Sequence, residues 1–287
     1  MSGAPAFDLA VLACPRCGGS LEPSGRWLQC RRCRAPYEVI SGIPDLLPWS
    51  GGAPGPEWTR WREKLGLLQE WRSDTWDGTS VAQQRQEVAD TMAERFFQFA
   101  RIPQGRVLEI GCGSAQLRRH LPGREYWGLD PLLGAPGSPA CDAAPPDVPA
   151  LVRGVGERLP FVDGSFHAAI LCETLDHALD PARVLRETRR VLVDDGVLAV
   201  MQSVRGAEPR PSPVLRFRVA AGRLKARLLG KKPRMSDART KMVMLRPDEV
   251  PSLVRTELEM DQLATYGQSV LVRALKRPPQ APPRWNV

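Results

Sequence analysis

The stretch VLEIGCGSA, at residues 107–115, most constrains what this chain can fold into. A short apolar run breaks into a turn bearing Gly111 and Gly113, with Glu109 just before it. Around it, residues 106–203 alternate strand-like and helix-like segments. RVLEI, EYWGLD, ALVRG, HAAILC and GVLAVMQSV read as strands, and SAQLRRHL opens a helix after the first. DPARVLRETRRVL reads as a second helix, with Asp180 as its cap and Pro181 in its first turn. This alternation predicts an α/β fold, a doubly wound Rossmann-like parallel sheet covered by helices. In such sheets the ligand lies at the carboxyl ends of the strands, near the switch point.

The turn discriminates among nucleotide ligands. A dinucleotide needs G-x-G-x-x-G, with its pyrophosphate on a helix N-terminus. Here the third position is Gln116, and Glu109 would push a negative charge toward the phosphates. A phosphate-free cofactor with a cationic amino-acid end fits better, and S-adenosyl-L-methionine is such a molecule. Asp130 ends the second strand, where an acidic side chain accepts hydrogen bonds from ribose hydroxyls.

With VLEIGCGSA, GLD, and then GVGERLPFVDGSFHAAILCETLDHALDPARVLRETRRVLVDDGVLAV in order, residues 104–203 closely resemble class I S-adenosylmethionine-dependent methyltransferases of the ubiquinone-methyltransferase-like group. A weaker echo covers 241–276. The resemblance implies that Glu109, Gly111 and Gly113 line the methionine and ribose side and that Asp130 holds the ribose. It places Val155 and Gly156 beside the adenine. Cys172 and Glu173 would face the methionine moiety or the acceptor. There are departures. Val155 stands where many relatives carry an adenine-reading Asp, and His167 replaces the usual Asp of DGSFD. The six prolines of DPLLGAPGSPACDAAPPDVPA predict a long loop in place of a helix.

Upstream lies CPRCGGSLEPSGRWLQCRRC. Cys14 and Cys17 form one C-x2-C pair, and Cys30 and Cys33 form another after twelve residues. Two such turns aim four thiolates at one ion in a closed structural site. Zinc is expected, with rubredoxin-like iron as the rival. With the following APYEVISGIPDLLP, the segment resembles small zinc-ribbon proteins that activate RNA and protein methyltransferases, and similar ribbons fused to methyltransferase domains.

These readings divide the chain into a zinc-ribbon module at 1–50, a helical connector at 51–103, a methyltransferase domain at 104–277 and a disordered tail at 278–287. In the connector, Trp58, Trp61, Trp71 and Trp76 either pack the ribbon against the main domain or wall the ligand cleft. Val81, Val88, Met92, Phe96 and Phe99 fall on a helical stripe. The net charge is +8, and residues 203–245 concentrate it, with twelve Lys or Arg against Glu208 and Asp237. There Val214, Phe217, Ala221, Leu224 and Leu228 oppose Arg216, Arg223 and Arg227, which predicts a basic amphipathic lid inserted at 204–245. Its arginines are solvated lid surface, an RNA phosphate contact, or a membrane-surface contact. Seven cysteines with four at metal-ligand spacing, no apolar run near ~20 residues and no signal-type N-terminus predict a cytoplasmic, reduced protein.

The acceptor is expected to be a small molecule or peptide, methylated at N or O and enclosed by the lid. The alternative is an RNA base, as in the zinc-ribbon guanine methyltransferases of ribosomal RNA, and a third reading is a cofactor-binding regulator of a partner. In CETLDH, His177 is the first candidate for a general base, with Glu173 and Asp176 beside it. A structural hydrogen-bonding role for His177 weighs equally. His120 reads as a residue satisfying helix C-terminal carbonyls.

Overall fold

The computed structural model describes residues 8–50, 55–75, 91–134, 150–204, 243 and 245–277. All of the lid expected at 204–245 except Val204, Val243 and Leu245, together with the tail, Trp76, Val81, Val88 and most of the proline-rich loop, lies outside the described residues.

The chain opens with a four-stranded antiparallel sheet, β1 (Leu21–Ser24), β2 (Trp27–Cys30), β3 (Pro36–Ile40) and β4 (Ile43–Pro44), in sequential order. The two cysteine turns are built alike. Gly18 N donates to the Cys14 carbonyl and Arg34 N to that of Cys30, and both residues are left-handed, at φ 72° and 61°. Glycine meets that geometry without strain, whereas Arg34 holds it at a cost.

Among the described residues, two α-helices follow, α1 (Thr59–Thr75) and α2 (91–100), before the central sheet. Its strands are β5 (Arg106–Ile110), β6 (Glu125–Asp130), β7 (Ala150–Arg153), β8 (Phe166–Cys172), β9 (Leu192–Ser203), β10 (Glu259–Tyr266) and β11 (Ser269–Leu275). They lie in the order β10-β11-β9-β8-β5-β6-β7. The five from β7 to β9 run parallel, and β11 is antiparallel to β9 and to β10. The hairpin closing β10 to β11 at Gly267 (φ 58°) is too short for any but an antiparallel pair, so the sheet is mixed.

Alternate residues of the inner strands feed two cores. Leu108, Ile110, Ala169, Leu171, Leu198 and Val200 pack beneath α3 (Pro181–Val191) and α4 (Glu249–Arg255). Val107, Ala168, Ile170 and Ala199 pack beneath α2, whose Phe96 and Ala100 are fully buried. Burial on both faces explains why these strands read as near-continuous apolar runs.

SAQLRRHL departs from the expected helix. Ala115 is left-handed (φ 57°, ψ 33°), and only a 3-10 turn, Gln116–His120, follows without a side-chain cap. His120 stacks on Phe97 at 5.2 Å, and its Nε2 accepts from Arg119 Nε. Strand β9 starts earlier than GVLAV, because Leu192 pairs with Phe166 directly after α3. Among the described residues, no helix is long and apolar enough to cross a membrane.

Candidate functional site

The four cysteine sulfurs converge. Every pair among Cys14, Cys17, Cys30 and Cys33 lies within 4.8 Å, with Cys14–Cys33 at 3.6 Å and Cys17–Cys30 at 3.5 Å. Zinc–thiolate bonds of ~2.3 Å in a tetrahedron space the sulfurs by about 3.8 Å, so the set fits a structural zinc. Cys33 N donates to Cys30 Sγ, and the Tyr37 hydroxyl stands 3.1 Å from Cys14 Sγ, so protein groups already surround the sulfurs. A Cβ at Gly19 would meet Cys30 Sγ at 3.0 Å and Arg32 Cβ at 2.8 Å, so only glycine fits there.

A cavity of about 330 Å³ lies at the carboxyl ends of β5, β6 and β8, the point where the strand order reverses. Gly111 and Gly113 form part of its wall. The amides of Gly111, Cys112 and Gly113 are already used internally. Those of Gly111 and Cys112 donate to the Leu129 carbonyl, at 2.7 and 3.1 Å, and Gly113 N donates to Asp130 Oδ2 at 3.0 Å. The turn therefore offers bare backbone surface and no phosphate cradle.

Asp130 is fixed from two sides. Besides the Gly113 bond, its Oδ1 accepts from Leu132 N at 2.8 Å, and the residue lines the cavity. Each carboxylate oxygen has a second lone pair with which to accept from a ligand. Val155 and Gly156 also line the wall, and a Cβ on Gly156 would crowd Val184 and Ile110 at 3.1 and 3.2 Å. Three carboxylates, of Asp130, Glu157 and Glu173, line the cavity, and among the described residues no Lys or Arg does. Of the three, Glu157 is also faced by the buried Lys64 ammonium.

Glu109 and Cys172 stand behind the wall. Glu109 is buried and accepts a 2.6 Å bond from the Tyr126 hydroxyl, and burial pushes its carboxyl up to about 8. Burial therefore works against the fixed negative charge expected of this position from the sequence. Cys172 packs on the α2 side, and burial pushes its thiol up. Glu173, at φ 52°, lines the cavity while its oxygens accept from Ser203 N and Oγ and from Gln202 Nε2. It straps the end of β8 to β9. His177 also lines the cavity, and its Nε2 is 3.8 Å from Asp176 Oδ1. His167 lies elsewhere, accepting from Arg106 N at the start of β5.

The connector supplies more than packing. Trp58 packs on Trp49 in a tilted pair, ring centroids 5.9 Å apart and planes at 44°, while Trp61 and Leu68 wall the cavity together with Leu132 and Val155. Lys64 is buried in the same stripe. Its Nζ donates to the His177 carbonyl and faces the carboxylates of Glu157 and Asp176. Burial lowers the ammonium to about 8, opposed by those two charges. Glu157 is buried too, accepting from Leu179 N and Asp180 N. Thr174 Oγ1 donates to the Ile110 and Cys172 carbonyls and overlies Gly111. Sequence reasoning missed Lys64, Glu157, Leu132 and Thr174. For Lys64 a signal existed, since it falls in helical phase with Trp58, Trp61 and Leu68. For Glu157 and Thr174 none did, because Leu179 and Asp180 in the one case and Ile110 in the other come from distant segments.

Residues 108–200 match the family model described as a methyltransferase domain. An uncharacterized protein of Mycobacterium tuberculosis is 38% identical over 106 residues, 37% of this chain and 33% of that protein. An uncharacterized methyltransferase of the same organism is 35% identical over 103 residues, covering 35% of this chain and 40% of the relative. The malonyl-[acyl-carrier protein] O-methyltransferase of Magnetococcus marinus is 37% identical over 90 residues, 30% of each chain. The chain thus spans about a third of the length of the curated relatives it matches. Among solved structures, a chain from the complex between the Haloferax volcanii Trm112 methyltransferase activator and a methyltransferase superposes with a TM-score of 0.51 at 16% identity. It covers 71% of this chain and 97% of that one, a likeness of fold. Residues 108–200 are a methyltransferase domain, set in a class I Rossmann-like α/β fold with a mixed central sheet.

Proposed function

We propose that the chain transfers a methyl group from S-adenosyl-L-methionine to a small-molecule or peptide acceptor. The observation that carries this reading is the cavity at the switch point, walled by three carboxylates and by a glycine turn with no free amide cradle. Such a wall suits a sulfonium-bearing, phosphate-free nucleoside. When bound, that molecule supplies a methyl group already activated by positive charge. Asp130 would accept from its ribose, Gly111 and Gly113 would give it close backbone approach, and Val155 with Gly156 would flank its base. His177 would take the acceptor's proton where the acceptor carries one. Alignment does the rest, because displacement at a methyl group needs in-line approach above all.

The four-cysteine module holds zinc in this reading and serves structure. The division into ribbon, connector, methyltransferase domain and basic lid, the likeness to the ubiquinone-methyltransferase-like group and a cytoplasmic setting are parts of the same proposal. Two measurements test it. Calorimetric titration with S-adenosylhomocysteine should show a single site, and its absence would remove the cofactor assignment. Labelled S-adenosylmethionine, incubated with extract of the source cells, should mark small molecules or short peptides. Label released by ribonuclease would instead make RNA the acceptor and the segment 204–245 its phosphate contact.

A further inference from the structure

Lys64 is a buried charge for which the transfer reaction itself has no use. It sits on α1, outside the residues of the methyltransferase domain, 2% exposed and in helical phase with Trp61 and Leu68. An apolar side chain there would extend the stripe, whereas an ammonium taken out of water is costly unless it is paired. Its Nζ donates to the His177 carbonyl, lies 5.1 Å from the Trp61 ring centroid and faces the carboxylates of Glu157 and Asp176. Glu157 has other donors, in Leu179 N, Asp180 N and the Trp61 indole. The carbonyl and the second carboxylate belong to one turn, Leu175–His177, which carries His177 on the cavity wall.

That turn is fastened from other sides as well. Leu175 N donates to Gln202 Oε1 of β9 at 3.0 Å, and Val243 N donates to the Asp176 carbonyl at 3.3 Å. Lys64 adds a hold from the connector helix. Asp176 is 2% exposed, and its Oδ1 stands 3.8 Å from His177 Nε2. A proton gained by the ring turns this approach into an ion pair. Glu173 after β8, Glu157 after β7 and Asp130 at the end of β6 share the cavity with the ring.

We infer that Lys64 is a positioning residue for His177. Its ammonium holds the turn by the His177 carbonyl and so keeps the imidazole beside Asp176, the counter-charge to the protonated ring. The inference rests on the reading of His177 as the acceptor's base. Helix α1 is then part of the catalytic arrangement and not only a wall of the cavity.

The chain has three histidines, so the His177 ring can be followed through pH by NMR and assigned by its loss in His177→Gln. The full chain is titrated as wild type, Asp176→Asn, Lys64→Met and the double variant, each with a thermal melt. Asp176→Asn should lower the His177 midpoint by about one pH unit, the low end for an opposite charge at this range. In the Lys64→Met background the same change should move it by less than about half as much, because the ring is no longer held beside the carboxylate. Lys64→Arg should restore the full difference. An equal fall in both backgrounds would overturn the role of Lys64 and leave it as a neutraliser of buried charge. No fall in Asp176→Asn would overturn the whole inference. If Lys64→Met does not fold, Lys64→Gln takes its place under the same criterion. Two parallel measurements isolate the underlying reading. Wild type that fails to bind S-adenosylhomocysteine removes the cofactor, and undiminished methyl transfer by His177→Gln into cell extract removes the base. The NMR cycle decides the positioning of the ring in either case.

Discussion

Gly111 lies at φ 77°, and a Cβ there would stand 2.5 Å from Thr174 Oγ1. Gly111→Ala therefore meets two penalties. The left-handed backbone costs roughly 1–2 kcal/mol for a residue with a Cβ. Thr174 must also leave the carbonyls of Ile110 and Cys172, which it ties together at 3.0 Å each. We expect S-adenosylhomocysteine affinity to fall at least about tenfold by calorimetry, with zinc content unchanged. Glu109 gives a different signature. Its folded carboxyl stands at about 8 against an ordinary 4.5, so folding favours the protonated form. That contribution is complete below 4.5 and is lost as pH rises through 8. Glu109→Gln cannot ionise and retains an acceptor for Tyr126. Its melting temperature should therefore gain on wild type between pH 5 and 8, and a pH-independent difference would reject the assignment. Both residues stand out in VLEIGCGSA, because a glycine turn after a buried strand is a local pattern. The environment of Glu109 was not legible, since Tyr126 closes over it from the neighbouring strand.

Helix α3 shows how much of an element local chemistry specifies. Asp180 Oδ1 accepts from Arg183 N at 3.0 Å, Pro181 occupies the first turn, and Val184, Leu185, Thr188 and Val191 form the buried stripe. All of this can be read within a dozen residues, and helix and sequence agree. Asp180→Ala should cost about 1 kcal/mol, seen as a lower urea midpoint at unchanged slope, the size of a lost N-cap. The expected helix after the glycine turn fails for an equally local reason that composition hides. Ala115 is left-handed where its amide closes back on the Cys112 carbonyl, and a 3-10 turn without a side-chain cap follows. Helix α1 lies between these cases. The stripe of Trp61 and Leu68, continued by Trp58 in the turn before the helix, is periodic, yet Lys64 sits in the same phase and is buried only because Glu157, Asp176 and a carbonyl meet it there.

At the scale of the whole molecule, the ribbon and the domain share a core. Leu12, Leu28, Tyr37 and Leu46 belong to the same buried cluster as Leu108, Ile110, Phe161 and Phe166. Backbone bonds join Ala13 to Pro160, Val162 to Val11, and Leu46 to Arg153, so the ribbon covers the β7 edge of the central sheet. Arg153 carries the connection to the cavity. Its guanidinium reaches Asp45 Oδ2 at 2.8 Å on the ribbon and the Pro131 carbonyl at 3.1 Å, directly after Asp130. The contacts to residues 11–46 span more than a hundred residues of sequence, and so a reading by spacing separates the two parts of the chain. In the reading proposed above, the N-terminal sheet is a zinc ribbon of ~40 residues with little core of its own, and it depends on its metal. Withdrawing zinc should therefore disturb the ribbon, release Asp45 from Arg153, and loosen the Asp130–Leu132 segment that faces the ligand. A strong chelator is expected to lower the melting temperature of the whole chain in a single transition and to weaken S-adenosylhomocysteine binding. Arg153→Ala should weaken that binding without loss of zinc. Two separate transitions, the upper one and the affinity unmoved by the chelator, would mean that the ribbon is carried by the domain and does not brace it.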